Sequence, residues 1–171
     1  MSEEKLTEIH GCGSVRRVQT RKTIRAPIET VWEALTQIEH VRQWWADGTI
    51  GAQVGEAVQL GGDEDLNGSI VAMMKPHVFE FTWHDAPENA AHPEWIEAAT
   101  RSLVHFDLIE TAADTTLLTL INFAPLSSAT GASAGWHHLF ELLTSYLEEG
   151  EAQSGPDRFE ALKALYPVET A

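Results

Sequence analysis

The chain has 171 residues and a formal net charge of −15 at pH 7, and this length suits a single domain. Hydrophobic residues make up 43% of it and charged residues 22%, a composition that allows a buried core. The acidic balance argues against binding to nucleic acid or to anionic membranes, because phosphate groups would be repelled. No apolar run approaches the roughly 20 residues needed for insertion into a membrane.

Residues 1–14 are predicted to form a flexible arm. Glu3, Glu4 and Glu8 interrupt this stretch, so it lacks the apolar segment of a secretory signal, and its last residues are rich in glycine. Cys12 is the single cysteine, which excludes an intrachain disulfide. Both features favour a cytoplasmic location.

A first strand is predicted from Val15 to Arg25, because Val18, Thr20 and Ile24 share one face and polar residues occupy the other. Five cations fall within this strand. They form either a solvated outer face, which is the interpretation we favour, or a basic patch for an acidic partner. These cations are Arg16, Arg17, Arg21, Lys22 and Arg25.

A helix is predicted from Pro27 to Gln37. Proline suits the first turn of a helix, where its missing N–H costs nothing, and Glu29 lies near the positive end of the helix dipole. A second short helix is predicted from His40 to Trp45. The apolar residues at helical spacing in the first helix are Ile28, Val31, Trp32, Leu35 and Ile38.

Five more strands are predicted after Gly48, and two tandem hairpins are the simplest arrangement of those that end by His84. The acidic connection from Asp85 to Thr100 is long for paired strands, so it is a candidate lid over a binding site. The predicted strands span Val54–Leu60, Leu66–Met74, Val78–His84, Ser102–Glu110 and Thr115–Asn122.

A long amphipathic helix is predicted from Gly135 to Gly150, after a loop of small residues from Phe123 to Ala134. Beyond it, a short helical pattern ends at Pro167. The apolar face of this C-terminal segment either packs on its own domain or contacts a protein partner, which includes a second copy of the chain. The face consists of Phe159, Leu162, Leu165 and Tyr166.

This order of elements predicts an α+β domain, because a long amphipathic helix that follows a run of strands needs a sheet to pack on. We expect a curved antiparallel sheet of six or seven strands wrapped around the long helix, with a short helix pair after the first strand. The domain is expected to span residues 15–150, followed by an extension over residues 151–171.

Five segments in this order resemble the START-like (SRPBCC, birch-pollen-allergen-like) superfamily, and within it the family of activator of heat shock protein 90 ATPase homologues. The resemblance covers about residues 15–150. Three features depart from the family pattern, namely the long connection after residue 84, an asparagine at position 122 where histidine is common, and the extension after residue 150. The five segments are Ala26–Thr36, Trp44–Trp45, Phe79–Trp83, Thr116–Leu120 and Gly135–Leu143.

The resemblance implies a helix-grip fold whose cavity, between the sheet and the long helix, takes an apolar or aromatic small molecule without a cofactor. An enzyme of the cyclase or hydratase type and a co-chaperone-like interaction module are the alternatives. Aromatic side chains with few polar groups describe either a ligand pocket or a filled core, and Asn122 is either a polar anchor for a ligand or a partner of nearby backbone. The residues expected to line the cavity are Trp44, Phe81, Trp83, Phe106, Leu120, Asn122, Trp136 and Phe140.

Motifs for other chemistry are absent from the sequence. It has neither an HExxH motif nor a Cys/His pair for zinc, neither a Gly-x-Ser-x-Gly elbow nor a phosphate-binding loop, and the adjacent His137 and His138 point about 100° apart on a helix. Glu80 and His105 alternate onto the outward face, so we nominate no catalytic residue. A histidine and acidic group in the long connection is expected to be solvated rather than metal-binding: His84, Asp85, Glu88, His92 and Glu94.

Overall fold

The computed structural model describes residues 3–12, 15–61, 66–83, 103–125 and 129–167. Within these ranges the chain forms eight strands and four helices. The strands are β1 (Thr7–Cys12), β2 (Val15–Ile24), β3 (Gly48–Ile50), β4 (Ala57–Leu60), β5 (Leu66–Met74), β6 (Val78–Thr82), β7 (Leu103–Ala112) and β8 (Thr115–Pro125). The helices are α1 (Ile28–Thr36), α2 (Ile38–Trp44), α3 (Ala129–Glu149) and α4 (Arg158–Lys163).

All described strands belong to one antiparallel sheet in the order β1-β2-β8-β7-β6-β5-β4-β3. The long helix α3 packs against β1, β2 and β8 and also contacts α2 and α4. The predicted α+β helix-grip fold is therefore confirmed, with eight strands in place of six or seven. Among the described helices, none has the length and hydrophobicity needed to cross a membrane.

The core lies between the sheet and α3, and strand alternation places its side chains there. Phe79 and Phe81 on β6 are buried, whereas the residues between and beside them are partly exposed. The same period of two buries Phe106 and Leu108 on β7 and Leu118 on β8. Each strand therefore contributes one apolar face to a shared interior.

The helix pair α1 and α2 closes one side of this core. Pro27 precedes α1 in an extended conformation (φ −58°, ψ 150°), and Gln37 separates the two helices with φ −104° and ψ 122°. The first helix buries an apolar face that includes Val31 and Trp32. Both helices match the predicted ones closely at their ends.

The arm predicted over residues 1–14 is wrong for Thr7–Cys12, which forms strand β1. This strand pairs with β2 in register from Thr7 opposite Thr20 to Cys12 opposite Val15, and the Thr7 and Thr20 hydroxyls hydrogen-bond at 2.8 Å. Tertiary pairing supplies what the local sequence lacks, because the edge of β2 offers backbone groups that need partners.

Two further boundaries differ from the sequence prediction. Helix α3 begins at Ala129 rather than Gly135, and the small residues predicted as a loop form its first turns, where Ser133 and Ala134 are fully buried. Val54 is 61% exposed in a turn, so the strand expected to begin there starts at Ala57. The predicted lid over Asp85–Thr100 lies outside the described residues.

The C-terminal segment packs on its own domain. Helix α4 forms where the apolar pattern predicts a short helix, and Leu162 and Tyr166 are buried against Ala134 and Ile9. Phe159, at 37%, is the member of that face with substantial exposure. The face offered to a partner is thus much smaller than the sequence pattern suggests.

The cations of the predicted first strand are held in different ways, and Arg25 lies one residue beyond β2. Arg25 pairs with Glu148 near the end of α3, at 2.8 Å between Nη2 and Oε2, and its backbone N–H donates to the other carboxylate oxygen at 2.9 Å. The Arg17 guanidinium donates to the side-chain oxygen of Gln19. Arg25 therefore fastens α3 to the end of β2.

Candidate functional site

Five aromatic side chains meet between the sheet and α3, and we call them the aromatic cluster: Trp45, Phe81, Trp83, Phe106 and Trp136. Trp136 is central to this set, with ring centroids 5.3 Å from Trp45, 5.9 Å from Trp83 and 5.9 Å from Phe106. These three contacts are edge-to-face, with interplanar angles of 74° to 88°. This is the arrangement that aromatic quadrupoles favour.

The local sequence explains how each ring reaches the cluster. Phe81 and Trp83 are two residues apart on and just beyond β6, so they face the same side of the sheet. Phe106 lies opposite Phe79 on β7, and Trp45 follows the last residue of α2. Trp45 and Trp83 are partly exposed, whereas the other members are buried. The cluster is therefore least covered where the two tryptophans lie.

Asn122 supplies the polar contact of this interior. It is 7% exposed, its Nδ2 donates to the backbone oxygen of Leu103 at 3.0 Å, and its Oδ1 accepts from Trp136 Nε1 at 3.2 Å. It does not end a strand, because β8 continues to Pro125. Of the two roles considered from sequence, the contact with nearby backbone is present in the structure.

The remaining predicted cavity residues belong to the same hydrophobic core. Leu120 lies opposite Phe106 in the sheet, and both Leu120 and Phe140 are fully buried. Trp44 is buried too, but its Nε1 donates to the backbone oxygen of Ala34 at 2.9 Å, which fastens α2 to α1. Its neighbour Trp45 contacts Trp136 instead. Sequence reasoning did not include Trp45 among the predicted cavity residues.

Glu80 and His105 lie on the opposite face of the sheet, as their alternation predicts. Their side chains pair at 2.7 Å between Glu80 Oε2 and His105 Nδ1. Within the described ranges, His137 is the buried residue that carries an imidazole or carboxylate, and it contacts Tyr166 of the C-terminal segment rather than the aromatic cluster. The acidic and histidine group from His84 to Glu94 lies outside the described residues.

A second set of polar residues surrounds His137, and we call it the His137 network. His137 Nδ1 is 2.6 Å from the Tyr166 hydroxyl, and its Nε2 is 3.2 Å from Glu141 Oε1. The Arg158 guanidinium pairs with both Glu141 and Glu3. Sequence reasoning missed this network, because its members come from both ends of the chain.

The network pairs one cation with two carboxylates. Glu3, His137 and Glu141 place donor atoms within 4.8 Å of one another, which is close enough for a metal ion. Arg158, however, already pairs with both carboxylates, so we assign these residues to an ion-pair network. Burial favours a raised pKa for Glu141, but the Arg158 hydrogen bond and the nearby His137 outweigh it, and the pKa is lowered.

A protein-family model matches most of the chain. The family described as "Activator of Hsp90 ATPase homolog 1-like protein" matches residues 25–148, which is most of the sheet together with α1, α2 and nearly all of α3. Comparison of the sequence with curated proteins gives no significant match.

Several solved structures are similar to the chain. A conserved protein of unknown function, EF2215 from Enterococcus faecalis, has a TM-score of 0.70 at 18% identity and covers 93% of this chain and 86% of its own. CalU16 from Micromonospora echinospora has a TM-score of 0.67 at 21% identity, with 93% and 97% covered. The Aha1 dimer from Colwellia psychrerythraea has a TM-score of 0.62 at 18% identity, with 78% and 97% covered. At these identities the likeness concerns the fold.

Proposed function

Because the chain belongs to the Activator of Hsp90 ATPase homolog 1-like protein family, we propose that it is a small-molecule binding domain that takes an apolar or aromatic ligand between the sheet and α3. The observation that carries this proposal is the aromatic cluster. Its central ring, Trp136, contacts Trp45 and donates a hydrogen bond to Asn122. Apolar, aromatic walls with few polar groups are typical of ligand sites. The proposed site comprises Trp44, Trp45, Phe81, Trp83, Phe106, Leu120, Asn122, Trp136 and Phe140.

A ligand that enters this interior has to displace aromatic contacts. The two partly exposed members, Trp45 and Trp83, lie 6.2 Å apart between ring centroids, and Trp45 is not part of a helix. Trp45 makes four ring contacts, and at about 0.5–1.5 kcal/mol for each aromatic contact turning it aside costs about 2–6 kcal/mol. Burial of about 200 Å² of apolar ligand surface contributes about 5 kcal/mol, which is of the same size, so the site favours a ligand that buries at least this much apolar surface.

Binding fits the described residues better than acid–base catalysis does. The Glu80–His105 pair is on the other face of the sheet, and His137 is engaged with Tyr166 and Glu141. A cyclase or hydratase would need a titratable group beside the ligand. The polar group beside the cluster is instead the Asn122 amide, whose Oδ1 accepts from Trp136 Nε1 and keeps a second lone pair that suits a ligand hydroxyl.

The proposal is tested by a thermal-shift screen of the purified protein against fatty acids, sterols, flavonoids and aromatic polyketides. A compound present at 100 times its Kd stabilises the folded state by about 2.7 kcal/mol, which corresponds to a rise in Tm of about 5–10 °C at this chain length. Quenching of tryptophan fluorescence by the same compound provides an independent measurement.

Two variants locate the site. Trp45→Ala is expected to abolish the shift while the unliganded protein keeps its circular dichroism spectrum. Trp32→Phe is the matched control, because Trp32 is a buried tryptophan of α1 that contacts Phe79 and lies outside the aromatic cluster. The proposal fails if no compound raises Tm, or if a confirmed ligand binds Trp45→Ala as tightly as the natural protein.

A further inference from the structure

A cleft of about 530 Å³ lies between α1, the turn that joins β3 to β4 and the end of β5, and we call it the α1 cleft. Its volume falls within the range of small-molecule sites, roughly 300–1,000 Å³. No member of the aromatic cluster is among its described lining residues. These residues are Trp32, Ala52, Gln53, Val54, Met73 and Lys75.

The floor of the α1 cleft is apolar. Trp32 is only 3% exposed. Met73 lies opposite the buried Phe79 in the sheet, so its side chain is on the face that packs against the core, yet it is partly exposed because it lines the cleft. Val54 adds an exposed apolar side chain from the turn. A ligand in the cleft would therefore remove apolar protein surface from water.

Trp32 also brings an unused hydrogen-bond donor to the cleft. Trp44 and Trp136 donate their indole N–H groups to protein oxygens, whereas that of Trp32 has no acceptor among the described residues. No buried side-chain nitrogen or oxygen in the described part of the chain lacks a partner, so this N–H must reach solvent. The α1 cleft is the opening that Trp32 lines, and a ligand oxygen there would meet a free donor.

The charge at the rim favours an anionic ligand. Lys75 is exposed, and its ammonium has neither an ion pair nor a hydrogen bond within the described ranges. The carboxylate of the turn, Glu56, is already engaged. Its Oε2 accepts from the Ala52 backbone N–H at 2.5 Å, and its Oε1 accepts from Gln53 Nε2 at 3.0 Å. These bonds also hold the turn in place, so this wall of the cleft is preformed.

We propose that the α1 cleft is a second ligand site, which binds a carboxylic acid with an apolar body. The carboxylate pairs with the Lys75 ammonium and supplies the acceptor that the Trp32 indole N–H lacks, because an anionic group with two oxygens suits both donors. The apolar body of the ligand covers Met73 and Val54.

This site is distinct from the one proposed between the sheet and α3. Phe79 is buried between the two, with its ring centroid 6.3 Å from that of Trp32 and 5.1 Å from that of Phe81 in the aromatic cluster. The two sites share no residue, so either can be occupied without the other.

NMR titration with sodium decanoate, kept below its micelle concentration, tests the proposal. The protein carries ¹³C in its methionine methyl groups and ¹⁵N in its indoles. Met74 is an internal control, because it lies opposite Val78 on the other face of the sheet and is 61% exposed. We expect the Met73 methyl and Trp32 indole signals to move along one saturating curve, while the Met74 and Trp136 signals stay in place.

Substitutions at the rim identify the contacts. Lys75→Gln removes the positive charge and is expected to weaken decanoate binding about three- to fivefold, whereas the matched control Lys22→Gln on β2 should leave it unchanged. Val54→Asp replaces the apolar rim by a carboxylate that repels the ligand, so binding should weaken at least about tenfold. Val71→Asp is its control, because Val71 is an exposed valine of β5 outside the described lining.

The proposal is overturned if decanoate leaves the Met73 methyl signal in place, or if Lys75→Gln binds decanoate as tightly as the natural protein does. Movement of the Trp136 indole signal without that of Met73 would place decanoate in the aromatic cluster. That result would support the site between the sheet and α3 and would overturn the assignment of the α1 cleft.

Discussion

Replacement of Asn122 by alanine tests whether this residue stabilises the interior in the absence of any ligand. The substitution removes the acceptor of Trp136 Nε1 and the donor to the Leu103 backbone oxygen. Trp136 is buried, so loss of the first bond leaves its indole N–H without a partner and away from water. Leu103 is partly exposed, so its backbone oxygen keeps some access to water when the second bond is lost. A buried unsatisfied polar group costs about 1–3 kcal/mol, so we expect Asn122→Ala to lower the free energy of unfolding by about 2–4 kcal/mol.

Urea unfolding measures this cost, provided that the dependence on denaturant concentration is unchanged. Asn67→Ala is the matched control, because Asn67 is exposed and bonds another exposed side chain, Gln59, at 3.1 Å; its cost should stay below about 0.5 kcal/mol. The double variant with Trp136→Phe lacks the unpaired N–H, so its cost should fall short of the summed single costs by about 1 kcal/mol. A cost below about 1 kcal/mol for Asn122→Ala, or full additivity, would refute the reasoning.

Three further predictions concern other parts of the fold. A Cβ at Gly68 would lie 1.8 Å from a backbone oxygen of the neighbouring strand, so Gly68→Ala should destabilise the protein by more than about 2 kcal/mol in urea unfolding. Gly131 lies on α3 and a Cβ there would meet open space, so Gly131→Ala should stabilise the protein by about 0.5–1 kcal/mol. Leu162→Ala removes the fully buried side chain of α4 and should cost about 2–4 kcal/mol; a loss below about 1 kcal/mol would show that α4 is not firmly packed. The hydrogen bond from Arg25 lowers the pKa of Glu148. The stability that this pair gives the folded protein is therefore present above the usual carboxyl pKa and disappears as the pH falls through the lowered value. Arg25→Gln should raise the pKa of Glu148 in an NMR titration, and an unchanged value would contradict this.

The sequence is informative wherever side chains alternate or recur at a helical period. Strand β5 was predicted with both ends correct, and the burial of Phe79 and Phe81 follows from alternation alone. The start of α3 was missed because its first turns contain small residues with little apolar contrast, although Ala129 and Ser133 are fully buried. Small side chains at such positions let the helix pack closely against its neighbours, and a pattern of hydrophobic spacing does not reveal this.

The misassigned elements depend on residues far apart in the chain. β1 has no convincing period of its own, and it is ordered by the register that pairs Thr7 with Thr20. The same separation hid the His137 network, since Tyr166 lies 29 residues further along the chain. The available local signal was the i, i+4 spacing of His137 and Glu141, which does not reveal that His137 is buried.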